Sequence, residues 1–236
     1  MKNDSIILDG KGAIIDLSDA DYEVLSTTAD GLLKEIREIR INNDEPDHSN
    51  GVLNIHIGGS VENISVKVSE FNVTKVKAVA FANLRGGLER AGQNPQEGDG
   101  EVLVVMVIDA DIPVSTMARA CITVTEGITS AIQDLGLRYG DICVSGSKFE
   151  NVVIVRRKGQ SPHLRGAGNH CKLGELIGTA AVESVKESAM KNGVDLRIAA
   201  VDSAVNHIRD CIGWGLIPEE VGLKAIDSIT QTCSKH

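Results

Sequence analysis

Seven consecutive apolar residues, Val102–Ile108, stand between the acidic Glu101 and Asp109, and no other feature of the sequence restricts the fold so tightly. A run of that length without polar alternation fits a strand covered on both faces, as in the centre of α/β sheets. Aromatic residues are only 3% of the 236-residue chain against 42% apolar residues, so Val, Ile, Leu and Ala must fill the interior around such a strand. The length suits one domain with an appendage.

Around this strand the pattern alternates between strands and helices. Ser5–Leu8 and Ala13–Leu17 flank the turn Asp9-Gly10-Lys11-Gly12 and predict a hairpin. Gly51–Ile57 alternates, and Val61–Val68 is its expected partner across Gly58-Gly59-Ser60. Val76–Ala82 is a further strand, leading into a long polar loop, Asn83–Gly100. After Pro113, Met117, Cys121, Val124, Ile128, Ala131, Ile132 and Leu135 recur at helical spacing, and Gly136 closes the helix. Short strands at Asp141–Val144 and Val152–Val155 enclose the turn Ser145–Asn151.

A second helix follows Gly166–Asn169, with Leu173, Leu176, Ile177, Ala180, Val185 and Ala189 as its apolar stripe and Asn192-Gly193 as its stop. Val201–Ile212 and Pro218–Thr232 read as a helical hairpin turned at Gly213-Trp214-Gly215. The expected architecture is α/β: a sheet, mixed or largely parallel in the centre, covered by helices. Residues 1–193 would form the domain and 194–236 a helical C-terminal extension packed on it.

Several functional classes lose their support at once. Twenty-four Lys and Arg against 33 Asp and Glu give a net charge of −9 with no basic stripe, which argues against nucleic acid. No long apolar run or signal peptide is present, so the expected compartment is the cytoplasm, with no membrane partner. The five scattered cysteines form no CxxC pair, which speaks against a disulfide framework and a zinc knuckle. His207 and Cys211 lie one helical turn apart, but nothing completes a metal site, so no metal and no cofactor of its own are expected. P-loop, dinucleotide, HExxH and GxSxG motifs are absent. A homodimer is the default for a small enzyme.

Three segments can carry chemistry. Thr123–Thr129 sets Glu126 among hydroxyls, including Thr125 and Thr129, about 200° around the helix from Val124 and so away from the apolar stripe. Ser145-Gly146-Ser147-Lys148-Phe149-Glu150-Asn151 offers two hydroxyls for an oxyanion and Glu150 as base or ligand, although an ordinary polar turn has the same letters. Gly168-Asn169-His170-Cys171-Lys172 stands at a helix start, where an anion is favoured and His170 can move a proton. There Asn169 also suits an N-cap, and Cys171 a nucleophile.

In this order and spacing the segments resemble the adenosylcobinamide amidohydrolase family. Gly100-Glu101-Val102-Leu103-Val104 stands at its Gly-Thr-Ile-Asn-Ile strand, Thr125-Glu126-Gly127-Ile128-Thr129 at its Thr-Glu-Ala-Lys-Thr helix, and Ser145-Gly146-Ser147-Lys148-Phe149-Glu150 at its Thr-Gly-Thr-Gly-Thr-Asp turn. His170-Cys171-Lys172-Leu173-Gly174-Glu175 matches the family's last helix start most closely. The departures are Ile128 for Lys, Lys148-Phe149 for Gly-Thr, and Glu150 for Asp.

The resemblance implies hydrolysis of the aminopropanol amide of adenosylcobinamide to adenosylcobyric acid in corrinoid salvage, with the corrinoid as substrate. It assigns Glu126, Glu150 and His170 to catalysis, and Thr125, Thr129, Ser145, Ser147, Lys172 and Glu175 to substrate binding. Two rival readings keep the fold: a non-catalytic corrinoid or cofactor binder, and a cysteine-dependent enzyme of another cofactor pathway that uses Cys143 or Cys171.

Overall fold

The computed structural model describes residues 5–29, 31–43, 49–94, 97–140, 142–159 and 162–233. Pro95 of the long loop and Asp141, the expected start of a strand, lie outside the described residues.

Along the chain come β1 (Ile6–Asp9), β2 (Gly12–Asp16), β3 (Tyr22–Ser26), β4 (Leu32–Lys34), β5 (Glu38–Asn42) and β6 (Val52–His56). Then follow β7 (Ser65–Phe71), β8 (Thr74–Asn83), β9 (Leu88–Glu89), β10 (Glu101–Ile108) and helix α1 (Val114–Asp134). Strands β11 (Arg138–Tyr139), β12 (Ile142–Cys143), β13 (Gly146–Ser147) and β14 (Phe149–Arg157) precede α2 (Lys172–Lys191), α3 (Leu196–Gly213) and α4 (Glu219–Cys233).

A six-stranded mixed sheet, β4-β3-β14-β10-β8-β7, lies between a four-stranded sheet, β1-β2-β5-β6, and the pair α1 and α2. Within the six-stranded sheet only β10 and β14 run parallel, and α1 is the crossover between them. Alternation along β10 divides its side chains between two cores. Val104, Met106 and Ile108 meet the helices, while Leu103, Val105 and Val107 meet the small sheet.

The expected stripes of both helices are buried, with Cys121 half-buried. Helix α1 lies over β14, and α2 over β7 and β8. Gly127 lets the two helices approach closely: a Cβ there would stand 2.9 Å from that of Ala181.

The first hairpin forms as β1 and β2. The expected pairing of Gly51–Ile57 with Val61–Val68 does not. Strand β6 pairs parallel with β5 in the small sheet, whereas β7 pairs antiparallel with β8 in the large one. Between them the chain changes layers, because Gly59 is pressed on the buried Phe81 ring, 2.6 Å from a hypothetical Cβ, and Val61–Asn63 forms a 3-10 turn. The turn expected over Ser145–Asn151 is likewise largely strand. Gly146–Ser147 pairs with Leu88–Glu89 of the long loop, and Phe149–Asn151 opens β14.

Buried Ser188 of α2 ties the helix to the sheet: its Oγ accepts from the Ala82 N–H (2.8 Å) and donates to the Asn63 carbonyl (2.7 Å). Ser188→Ala leaves both groups unpaired, which costs about 1–3 kcal/mol for such a buried group. A lowered urea midpoint with an unchanged slope is the expected result.

Candidate active site

Helix α1 carries Thr125, Glu126 and Thr129 on adjacent turns, and from there two side chains reach the other two segments. Thr129 Oγ1 donates to the Ser145 carbonyl (2.7 Å), and Asn169 Nδ2 donates to Glu126 Oε2 (2.7 Å). Glu126 and Thr125 are exposed and Thr129 is half-buried. One stretch of helix thus joins the turn before β14 to the loop before α2.

The turn before β14 is held by backbone bonds to the long loop: Ser145 N–H to Glu89, Lys148 N–H to Gly87, and Phe149 N–H to the Gly100 carbonyl. Glycines permit this, since a Cβ on Gly100 would lie 2.2 Å from the Gly86 oxygen and one on Gly87 2.3 Å from the Gly100 nitrogen. The Ser145 hydroxyl accepts from Ala91 N–H (2.9 Å), leaving its own proton to donate, whereas the Ser147 hydroxyl donates to the Phe149 carbonyl (3.1 Å).

Half-buried Glu150 lies over Gly146, whose missing Cβ would stand 2.6 Å from Glu150 Oε2. Burial pushes its carboxyl above the ordinary value, opposed by a hydrogen bond from the Ser147 backbone.

In the loop before α2 the Gly168 carbonyl is the anchor. It accepts from Cys171 N–H (3.0 Å) and from Cys171 Sγ (3.1 Å). A Cβ at Gly174 would come 2.0 Å from the same oxygen, so the Gly of Lys172-Leu173-Gly174-Glu175 is demanded by packing. Exposed His170 sits against Gly168, 3.0 Å from a hypothetical Cβ to its Cε1. The N-cap is Cys171, not Asn169, which reaches Glu126 instead. Sequence reasoning missed this bond because nothing in the spacing of 126 and 169 signals it.

Lys172 and Glu175 do not join the cluster on α1. They pair with each other (2.5 Å), and the Lys172 ammonium lies 5.0 Å from the centre of the Phe71 ring at the β7–β8 turn. Among the described residues no group of three His, Cys, Asp or Glu side chains is placed to hold a metal ion, and no helix is long and apolar enough to cross a membrane.

The description of the adenosylcobinamide amidohydrolases matches residues 50–195, from β6 to the start of α3. The chain belongs to that family. An uncharacterized protein of Methanocaldococcus jannaschii is 28% identical over 179 residues, covering 61% of this chain and 69% of the relative. All three chemistry-bearing segments fall inside the family match, and the α3–α4 hairpin falls outside it.

The Glu150 environment sets a pH dependence. Unfolded, the carboxyl ionises near its ordinary value of 4.5, while in the fold it keeps its proton to higher pH. Its contribution to stability is therefore full below that value and lost as pH rises through the folded value. Glu150→Gln removes this loss, so urea midpoints should shift in the variant's favour between acid pH and neutrality.

Proposed function

We propose that this chain hydrolyses the amide joining the aminopropanol arm to the corrin ring of adenosylcobinamide, releasing adenosylcobyric acid for corrinoid salvage. Family membership supports the reaction class. The observation that carries the site is the pair of hydrogen bonds from one stretch of α1 to both flanking loops, Thr129 to Ser145 and Asn169 to Glu126.

Asn169 occupies one carboxylate oxygen of Glu126 and leaves the other for a water. In this reading Glu126 takes a proton from that water as its oxygen attacks the amide carbon. The Ser145 hydroxyl, with its proton free, stabilises the oxyanion, and Glu150 lies beside it over Gly146 in the same turn. The C–N bond then breaks, and His170 gives the departing amine its proton. Ser147 shapes the turn, since its hydroxyl proton is engaged by Phe149. Thr125 is exposed on the same stretch of helix and is the remaining hydroxyl for substrate.

A non-catalytic corrinoid binder is favoured by one observation: Lys148 and Phe149 replace two small residues, with the ammonium 5.7 Å from the centre of the half-exposed ring. The cysteine-dependent reading gains nothing at Cys171, whose thiol donates to the Gly168 carbonyl.

Incubation with adenosylcobinamide should yield the aminopropanol-free acid by mass spectrometry; tight binding with intact substrate selects the binder. Glu126→Gln should lower turnover by about 10²–10⁴-fold, the usual loss of a general base. Asn169→Ala should cost less, because the carboxylate remains and only its orientation is freed. Unchanged rates in both variants with wild-type melting would reject Glu126 as the base.

A further inference from the structure

Although the sequence has no basic stripe, residues Arg156 to Lys172 include Arg156, Arg157, Lys158, Arg165 and Lys172 and not one Asp or Glu, in a chain of net charge −9. The structure neutralises the first part of this segment. Arg156 pairs with Glu23 and Asp111, Arg157 with Asp109 (3.1 Å), Lys158 with Glu23 (3.3 Å), and His163 with Asp111 (3.1 Å). Arg165 lies beyond that network and its guanidinium has no ion pair among the described residues.

Arg165 and Lys172 border a cleft of about 350 Å³ between the β7–β8 turn and the start of α2. This volume is within the range of small-molecule sites. Its apolar walls are Phe71, Val73, Leu164 and Leu173. In a chain with three Phe, Phe71 is left 48% exposed and Val73 beside it 74% exposed, so the wall presents open apolar surface to an incoming group. Glu175 already meets Lys172, so a singly charged ligand would gain from Arg165 and merely exchange at Lys172. A dianion gains from both, and guanidinium matches phosphate oxygens in a bidentate fashion.

We propose that this cleft binds an aromatic ring bearing a phosphate, the ring against Phe71, Val73 and Leu164 and the phosphate on Arg165 and Lys172. The cleft shares Cys171 and Lys172 of the loop before α2 with the candidate active site, but none of Glu126, Asn169 and His170 lines it. Binding there is read without turnover, so its failure is distinguishable from failure of the amidase reading.

Calorimetric titration of the full chain with phenyl phosphate, inorganic phosphate and phenol tests it without any corrinoid. Phenyl phosphate should bind at least tenfold tighter than either control. Arg165→Glu and Val73→Glu, both at exposed positions, should each weaken it at least tenfold while melting stays at the wild-type temperature. Equal affinity for phenyl phosphate and inorganic phosphate, or binding untouched by Val73→Glu, would overturn the proposal by showing that the apolar wall takes no part.

Discussion

The parallel pairing of β10 with β14, from Glu101 opposite Phe149 to Ile108 opposite Arg156, is the constraint from which the rest of the molecule follows. Parallel neighbours cannot be joined by a tight turn, so a long crossover is required, and α1 supplies it. Both strands are buried on two faces, which demands a layer on each side: helices on one, the small sheet on the other. Register is equally fixed. A slip of one residue would exchange Val104 and Met106 with Leu103 and Val105 between the cores, and would turn Glu150 away from Gly146. The site is thus an outgrowth of the strand pair, since its turn enters β14 and its loop follows β14.

Close backbone approaches at glycines set the path of the two loops. The Gly168 carbonyl meets both the Cys171 amide and the bare face of Gly174, so the loop can fold back on the first turn of α2 only if position 174 lacks a side chain. At the other loop, Gly86-Gly87 and Gly98–Gly100 lie backbone to backbone, which brings Gly87 and Gly100 within reach of the Lys148 and Phe149 amides.

What the sequence reveals tracks the range of the interaction that fixes each part. Strand β10, the stripes of α1 and α2, and the first hairpin rest on local periodicity and turn residues, and they are legible. The fate of Gly58-Gly59-Ser60 is not, because a turn between two apolar runs looks the same whether the runs pair or separate into different layers. Phe81, 22 residues further on, decides the matter by occupying the space beside Gly59. The site divides in the same way. The residue types at Glu126, Glu150 and His170 are visible, but the Asn169–Glu126 bond spans 43 positions and the Lys172 contact with Phe71 spans 101, with no periodicity to announce either.

The departures from the family pattern differ in kind once they are placed. Ile128, where the resemblance sets a lysine, is fully buried in the helix-side core, and a lysine there would need a partner that the surrounding Val, Ile and Ala side chains do not offer. Lys148 and Phe149 instead face outward at the entrance to β14, one residue from Glu150, with the ring 53% exposed and the ammonium over it. Their amides keep the bonds to Gly87 and Gly100, so the backbone of the turn is preserved while its outer surface gains a ring and a charge. Such a change alters the surface beside Glu150 and leaves the backbone support beneath it in place.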